Sequence, residues 1–210
     1  MVFYYFNKKD FNMKTLTIPS VTIINRDLVA TYKEAEEIII PNGVEIIQFG
    51  TFSGFRNLKR IYIPKTLQKI EQSVFYACDK LEEIKIDKNN PYFCNEEDVI
   101  FNKDKTELIR YTTKQKDFIL PKTVTTIGEW AFSECKYLEE ITIPNNVTII
   151  NDWAFCECKK LKKVVLPLSI KKIGKYAFMD CKQLEEINLP NTEIEIGFGA
   201  FQDCNKLKRD

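Results

Sequence analysis

The 210-residue chain contains no histidine. That absence removes Ser-His-Asp and Cys-His nucleophile pairs, histidine-containing zinc sites and imidazole acid-base chemistry together. Net charge is missing as well: 31 Lys and Arg stand against 30 Asp and Glu, a balance of +1. Nothing in the summed charge would hold nucleic acid or an anionic membrane, so any partner must be read by local surface. Charges interrupt every apolar run, and none approaches the length of a membrane span. The opening MVFYYFNKKDF has neither a basic segment before its apolar run nor a small-residue cleavage site after it, so it does not read as a signal peptide. The expected location is the cytoplasm, or the cell surface or exterior if a longer parent chain carries a leader. Phosphate-binding glycine loops are missing too; Gly197-Phe198-Gly199 lacks a third glycine.

What the chain does contain is repetition. Pro121, Pro144, Pro167 and Pro190 fall 23 residues apart, and Pro41 and Pro64 repeat that spacing before a 57-residue gap to Pro121. Eleven residues after each proline comes Phe52, Phe75, Phe132, Phe155, Phe178 or Phe201, and six further on comes a leucine, from Leu58 to Leu207. A period in this range defines a solenoid, in which each unit buries its apolar face only against its neighbours. With 44% hydrophobic and 29% charged residues the chain has ample material for a continuous stacked core.

Each unit reads in three parts. In Leu138-Glu139-Glu140-Ile141-Thr142-Ile143 the apolar residues Ile141 and Ile143 share one face of an extended chain, which predicts a short strand ended by proline. Val147 and Ile150 recur as Val44/Ile47, Leu67/Ile70, Val124/Ile127 and Ile170/Ile173, predicting a second extended segment. Ala154, Phe155 and Cys158 then have a roughly helical spacing that suits one short turn.

Residues 1–40 lack the full repeat and are expected to form an N-terminal cap, with Phe3, Tyr4, Tyr5, Phe6 and Phe11 on its apolar side. Repeats fill 41–86 and 121–210. Between them, 87–120 holds two apolar runs, Val99–Phe101 and Leu108–Tyr111, flanking a polar turn; this is a variant coil or a hairpin insertion within the stack. The repeat resumes in phase at Phe118, so 1–210 is read as a single solenoid domain. No C-terminal cap is visible, which raises end-to-end self-association as an expectation.

Cys78, Cys135, Cys158, Cys181 and Cys204 stand three residues after the repeated Phe. With them the unit becomes IP..V..I...AF..C..L..I.IP, which resembles the BspA-like leucine-rich-repeat family over Pro41 to Lys208. The segments Asn89-Asn90-Pro91-Tyr92 and Asn102-Lys103-Asp104-Lys105 resemble that family's variant unit. Phe55 in the first cysteine slot, Val74 in an alanine slot and Glu193 where Val or Leu is usual depart from the pattern. The resemblance implies a curved, right-handed leucine-rich-repeat solenoid with a parallel sheet on one face and short helical turns on the other. It also implies a role in protein binding, with better-known members resembling surface adhesins.

The candidate sites divide between frame and surface. Five cysteines in one inward slot act as small buried hydrophobes; the odd total of seven favours a reducing compartment. Cys156-Glu157-Cys158 is no zinc half-site, since its second member belongs to the core slot, and no metal or cofactor is expected. Five and four residues before the proline slot, pairs of charges alternate in sign from coil to coil: Glu36-Glu37, Lys59-Arg60, Glu82-Glu83, Lys116-Asp117, Glu139-Glu140, Lys162-Lys163, Glu185-Glu186 and Lys208-Arg209, with Asp117 the exception. Parallel strands set these side by side, so opposite signs favour the correct coil order and like signs penalise a mis-stacked one; the alternative reading is a patterned docking surface for a partner.

Two columns remain free to bind a partner. Ile39, Tyr62, Lys85, Ile119, Thr142, Val165 and Asn188 vary at the outward strand position on an otherwise uniform frame. Nine residues after the proline, Trp130, Trp153 and Tyr176 form an aromatic column for protein or glycan contact, or are partly buried by stacking on adjacent coils. The function expected is a non-enzymatic protein-protein interaction module, with a surface adhesin fragment binding matrix protein or glycan as the alternative. An enzyme site at Cys94, Glu96, Glu97 and Asp98 is a distant third.

Overall fold

The computed structural model describes residues 15–96, 99–112, 115–190 and 193–208. The chain winds into a β-solenoid of about eight turns. Three coils come first: β1 (Thr15–Thr17) with β2 (Ile23–Ile24), β3 (Glu37–Ile39) with β4 (Ile46–Ile47), and β5 (Arg60–Ile63) with β6 (Lys69–Ile70). A variant stretch follows, β7 (Glu83–Ile86), β8 (Phe93–Glu96), β9 (Val99–Asn102) and β10 (Glu107–Tyr111). Regular coils then resume with β11 (Asp117–Ile119) and β12 (Thr126–Ile127), β13 (Glu140–Thr142) and β14 (Ile149–Ile150), β15 (Lys163–Val165) and β16 (Lys172–Ile173), and β17 (Glu186–Ile187) and β18 (Glu195–Ile196).

Strands this short are not stable alone; stacking supplies what length does not. The first strands of the coils line up as two parallel sheets, β1-β3-β5-β7 and β11-β13-β15-β17. The second strands form β2-β4-β6 and the larger sheet β18-β16-β14-β12-β10-β9-β8. Register follows the 23-residue period: Ile38 lies beside Ile61 and Ile61 beside Ile84, and Ile141 lies beside Val164. Identical slots therefore stack into ladders. Phe132, Phe155 and Phe178 are fully buried, with ring centroids 4.7 and 4.9 Å apart and planes within 8° of parallel.

From Thr15 onward the segment 1–40 is laid out as another coil, with β1 pairing to β3 and β2 to β4. Pro19 precedes Pro41 by 22 residues, so a search for a 23-residue period passes over it. The aromatic residues Phe3 to Phe11 lie outside the described residues. A short helix α1 (Arg26–Val29) sits within this coil, its Leu28 N–H capped by Asn25 Oδ1 at 3.0 Å.

Elsewhere the side opposite the strands is built of tight turns. The expected helical turn over Ala154–Cys158 is instead a pair of turns, Cys156 N–H to Trp153 O at 3.0 Å and Cys158 N–H to Phe155 O at 3.2 Å. Trp153 and Glu157 have φ near +60°, and a left-handed residue stops helix propagation. The same two slots are left-handed in neighbouring coils, which explains Gly50, Gly199 and Gly54 at those positions.

The variant stretch is both a hairpin and part of the stack. β8, β9 and β10 pair antiparallel, and β10 then pairs parallel with β12, Leu108 beside Ile127. Buried Asn90 fixes it to the preceding coil: Nδ2 donates to Pro64 O and Leu67 O, while Oδ1 accepts from Tyr92 and Phe93 N–H, all within 3.0 Å. Tyr111 enters the aromatic ladder, 4.9 Å from Phe132, and its N–H bonds to Ala131 O. The core is thereby divided. Val99 and Phe101 belong to the C-terminal cluster and Ile100 to the N-terminal one, so β9 is a partition buried on both faces.

Candidate functional site

The two surface columns have different geometry. On the strand face Ile119 is 91% exposed and Ile39 38%, and Lys85 and Thr142 are exposed as well. Tyr62 and Val165 are half-buried, and Lys85 Nζ sits 5.4 Å over the Tyr62 ring. Asn188 spends its amide on the frame: Oδ1 accepts from Leu166 N–H at 2.7 Å and Nδ2 donates to Leu166 O at 3.0 Å. Its side chain thereby stands in for the counterpart, one coil later, of the backbone bond that Val165 O receives from Ile143 N–H.

Trp130, Trp153 and Tyr176 are half-buried and stacked on one another, centroids 4.9 and 4.3 Å apart. Their faces cover each other, leaving ring edges toward solvent. Tyr76 closes one end of the stack and Phe198, 73% exposed, the other, both edge-on.

The charge ladder forms real pairs. Lys59 meets Glu36 at 2.8 Å, Arg60 meets Glu37 at 3.3 Å and Lys163 meets Glu186 at 3.0 Å. Glu139 is held between Lys162 at 2.8 Å and Lys116 at 3.2 Å, and those two ammonium groups bring its carboxyl down to about 2. Asp117 lies in register with Glu140, the one like-signed step that its sequence position had marked.

Sequence reasoning missed the seam across the variant stretch. Elsewhere stacked turns are 23 residues apart, yet here Ala77 N–H donates to Glu134 Oε2 at 2.7 Å across 57 residues. Tyr76 Oη bonds to Glu157 Oε1 at 3.3 Å, and Lys136 pairs with Asp79 at 3.0 Å. Burial pushes the Tyr76 hydroxyl up to about 12, helped by Glu157 and Glu134. Burial likewise raises Glu134 above the usual carboxylate range, against the opposing pull of the Ala77 N–H and Arg110. A recurring acidic slot, Glu134, Glu157, Asp180 and Asp203, was legible in the period; Arg110 had no sequence signal.

At the proposed enzyme position, Cys94 is half-buried and burial raises its thiol, the reverse of an activated nucleophile. Glu96 is tied to Lys105. Glu97 and Asp98 lie outside the described residues. Among the described residues no group of three or more Cys, Asp or Glu side chains is placed to hold a metal ion, and no helix is long and apolar enough to cross a membrane.

Stacked parallel strands, inward leucine and phenylalanine ladders and a varied outer surface define a leucine-rich-repeat solenoid. The sequence matches the BspA type leucine rich repeat region in six copies, over residues 2–97 and 105–209, and the chain belongs to that family. Among solved structures it is similar to the pneumococcal vaccine antigen PcpA, at 23% identity and a TM-score of 0.78 over 93% of this chain and 61% of that one. It is also similar to a leucine rich cell surface protein from Faecalibacterium prausnitzii, at 27% identity and a TM-score of 0.72 over 93% of this chain and 58% of that one. A leucine-rich repeat protein from Bacteroides ovatus matches at 21% identity with a TM-score of 0.52, over 98% of this chain and 68% of that one. The chain thus spans about three fifths of the length of the first two. A search of curated protein sequences found no relative. Family and neighbours together support a repeat protein-interaction module.

Proposed function

We propose that the chain is a non-enzymatic protein-binding module whose partner docks on the outward strand column. The observation that supports this reading is Ile119, an apolar side chain 91% exposed in the variable strand column. The aromatic column fits a structural role better, because its rings are already stacked face to face. A surface-adhesin role has the support of the Faecalibacterium neighbour, which is described as a cell surface protein.

The test is a pull-down from native cell extract and, in parallel, from matrix proteins. It compares the unmodified chain with Tyr62→Ala/Val165→Ala, with Ile119→Ala and with Trp130→Ala/Trp153→Ala, each checked for folding by circular dichroism. Loss with the strand-column variants alone is the expected result. Retention of a partner by both of them would remove the strand face from consideration, and a partner taken only from matrix proteins would favour the adhesin.

A further inference from the structure

The seam lines a half-open cavity of about 250 Å3 between the turn that carries Cys78, the end of β10 and the turn that carries Ser133. Arg110 stands in its wall and is nine-tenths buried, with 9% of its surface exposed. Both of its hydrogen bonds are made by Nη1, to Trp130 O and to Ser133 Oγ, each at 2.8 Å. Its Nε is fully covered by the protein and has no partner among the described residues. Glu134, a carboxylate near enough to feel its charge, is turned to the Ala77 N–H instead.

A buried guanidinium held by neutral acceptors alone is a poor arrangement, since burying a charge is unfavourable unless a counter-charge or a full set of hydrogen bonds replaces water. Buried polar atoms in folded proteins otherwise have a partner, be it protein, water or an ion. The unused edge, Nε with Nη2, is the one that receives a carboxylate side-on through two parallel N–H···O bonds. Around it Lys59, Lys80 and Lys136 share the cavity lining with Asp79, Glu82 and Glu134. Two of these lysines are already paired, Lys136 with Asp79 and Lys59 with Glu36.

We propose that this cavity is a carboxylate-binding site in which the Arg110 side chain turns its covered Nε–Nη2 edge to the ligand. The carboxylate belongs to an acidic side chain of a docked protein or to a small free organic acid. The first source rests on the binding-module reading above; the site itself does not.

The test follows the Arg110 Nε–Hε resonance in 15N-labelled protein, assigned by its disappearance in Arg110→Lys. Sodium acetate is titrated against sodium chloride at equal ionic strength, and a glycine-flanked glutamate peptide against its glutamine analogue. Acetate or the glutamate peptide should give a saturable shift that chloride and the glutamine peptide do not. Tighter binding of the peptide assigns the acidic side chain as the source, and tighter binding of acetate assigns the free acid. Ser133→Ala, which removes one Nη1 acceptor and keeps the guanidinium, should retain the shift; thermal stabilisation by acetate should weaken about tenfold in Arg110→Lys, whose ammonium lacks the planar fork. No shift with either carboxylate, or an equal shift with chloride, overturns the proposal. That outcome, with a partner still captured in the pull-down, would leave the binding module standing without this site. A saturable acetate shift with no captured partner would uphold the site alone.

Discussion

The Cys158 thiol donates to the Phe132 carbonyl of the preceding coil at 3.0 Å. Cys181 repeats the bond to Phe155 at 3.1 Å, Cys204 to Phe178 at 3.0 Å and Cys78 to Phe52 at 3.2 Å. The repeated cysteine therefore joins coils as a weak donor besides filling an apolar slot. Replacing Cys158 by alanine removes both contributions at a fully buried position. Urea unfolding should show a loss of about 1–2 kcal/mol, and an unchanged midpoint would show that neither contribution stabilises the coil.

Thiol chemistry should follow position along the ladder. Burial pushes Cys78 up to about 12 and Cys135, Cys158 and Cys181 well above the ordinary thiol value. The Cys181 thiol, facing Cys204, holds that residue below its ordinary value in a less buried coil. Since thiolate is the reactive form, alkylation of the folded protein in mildly alkaline solution should label Cys204 ahead of the three inner cysteines. Mass spectrometry of timed samples checks the order; early labelling of Cys158 would contradict it.

The alternating charges should set coil order. Lys162→Glu with Lys163→Glu removes the pairs to Glu139 and Glu186 and puts like signs in register. Melting should fall by about 2–4 °C at low ionic strength, and by much less near ~1 M salt, where screening acts over about 3 Å. Equal melting of the two proteins at low salt would leave the ladder without a structural role.

Glu139 should give the solenoid an acid limb. Its folded value of about 2 lies below the ordinary glutamate value of about 4.3, so the unfolded chain takes up the proton first. Its contribution is therefore complete above the unfolded value and disappears as pH falls through the folded one. Melting temperature against pH should drop across that window, and Glu139→Gln should flatten the drop. An identical slope in both proteins would locate the acid sensitivity elsewhere.

Left-handed positions predict opposite outcomes in two coils. Ala77 has φ +54° and lines the seam through its backbone N–H, so Ala77→Gly keeps that bond and should stabilise by about 1 kcal/mol. Trp153 has φ +60°, but Trp153→Gly forfeits ring contacts with both Trp130 and Tyr176 and should destabilise. Unfolding midpoints moving in the same direction would show that backbone strain is not the deciding term.

The strands, their register and the inward ladders were legible because each slot recurs, and a recurring slot has the same neighbours in every coil. The alternating charges at Glu36, Lys59, Glu139 and Lys162 were legible for the same reason. The turns were not, since the spacing of Ala154, Phe155 and Cys158 is shared by a helix and by two left-handed bends. Nor was the use of Asn188, whose amide copies a backbone bond that its place in the variable column gave no cause to expect.

The sequence by itself determined the solenoid, its 23-residue rise and the composition of its core, since stacking makes each coil's burial depend only on the coils beside it. Tertiary structure alone decided where the regular order breaks. Ala77 meets Glu134 and Arg110 is buried beside Ser133 because the described residues of the variant stretch lack the double turn that carries Phe and Cys in the regular coils, which lets turns 57 residues apart meet. Among the described residues such contacts are confined to this seam, and a contact without a periodic counterpart leaves no pattern from which to read it.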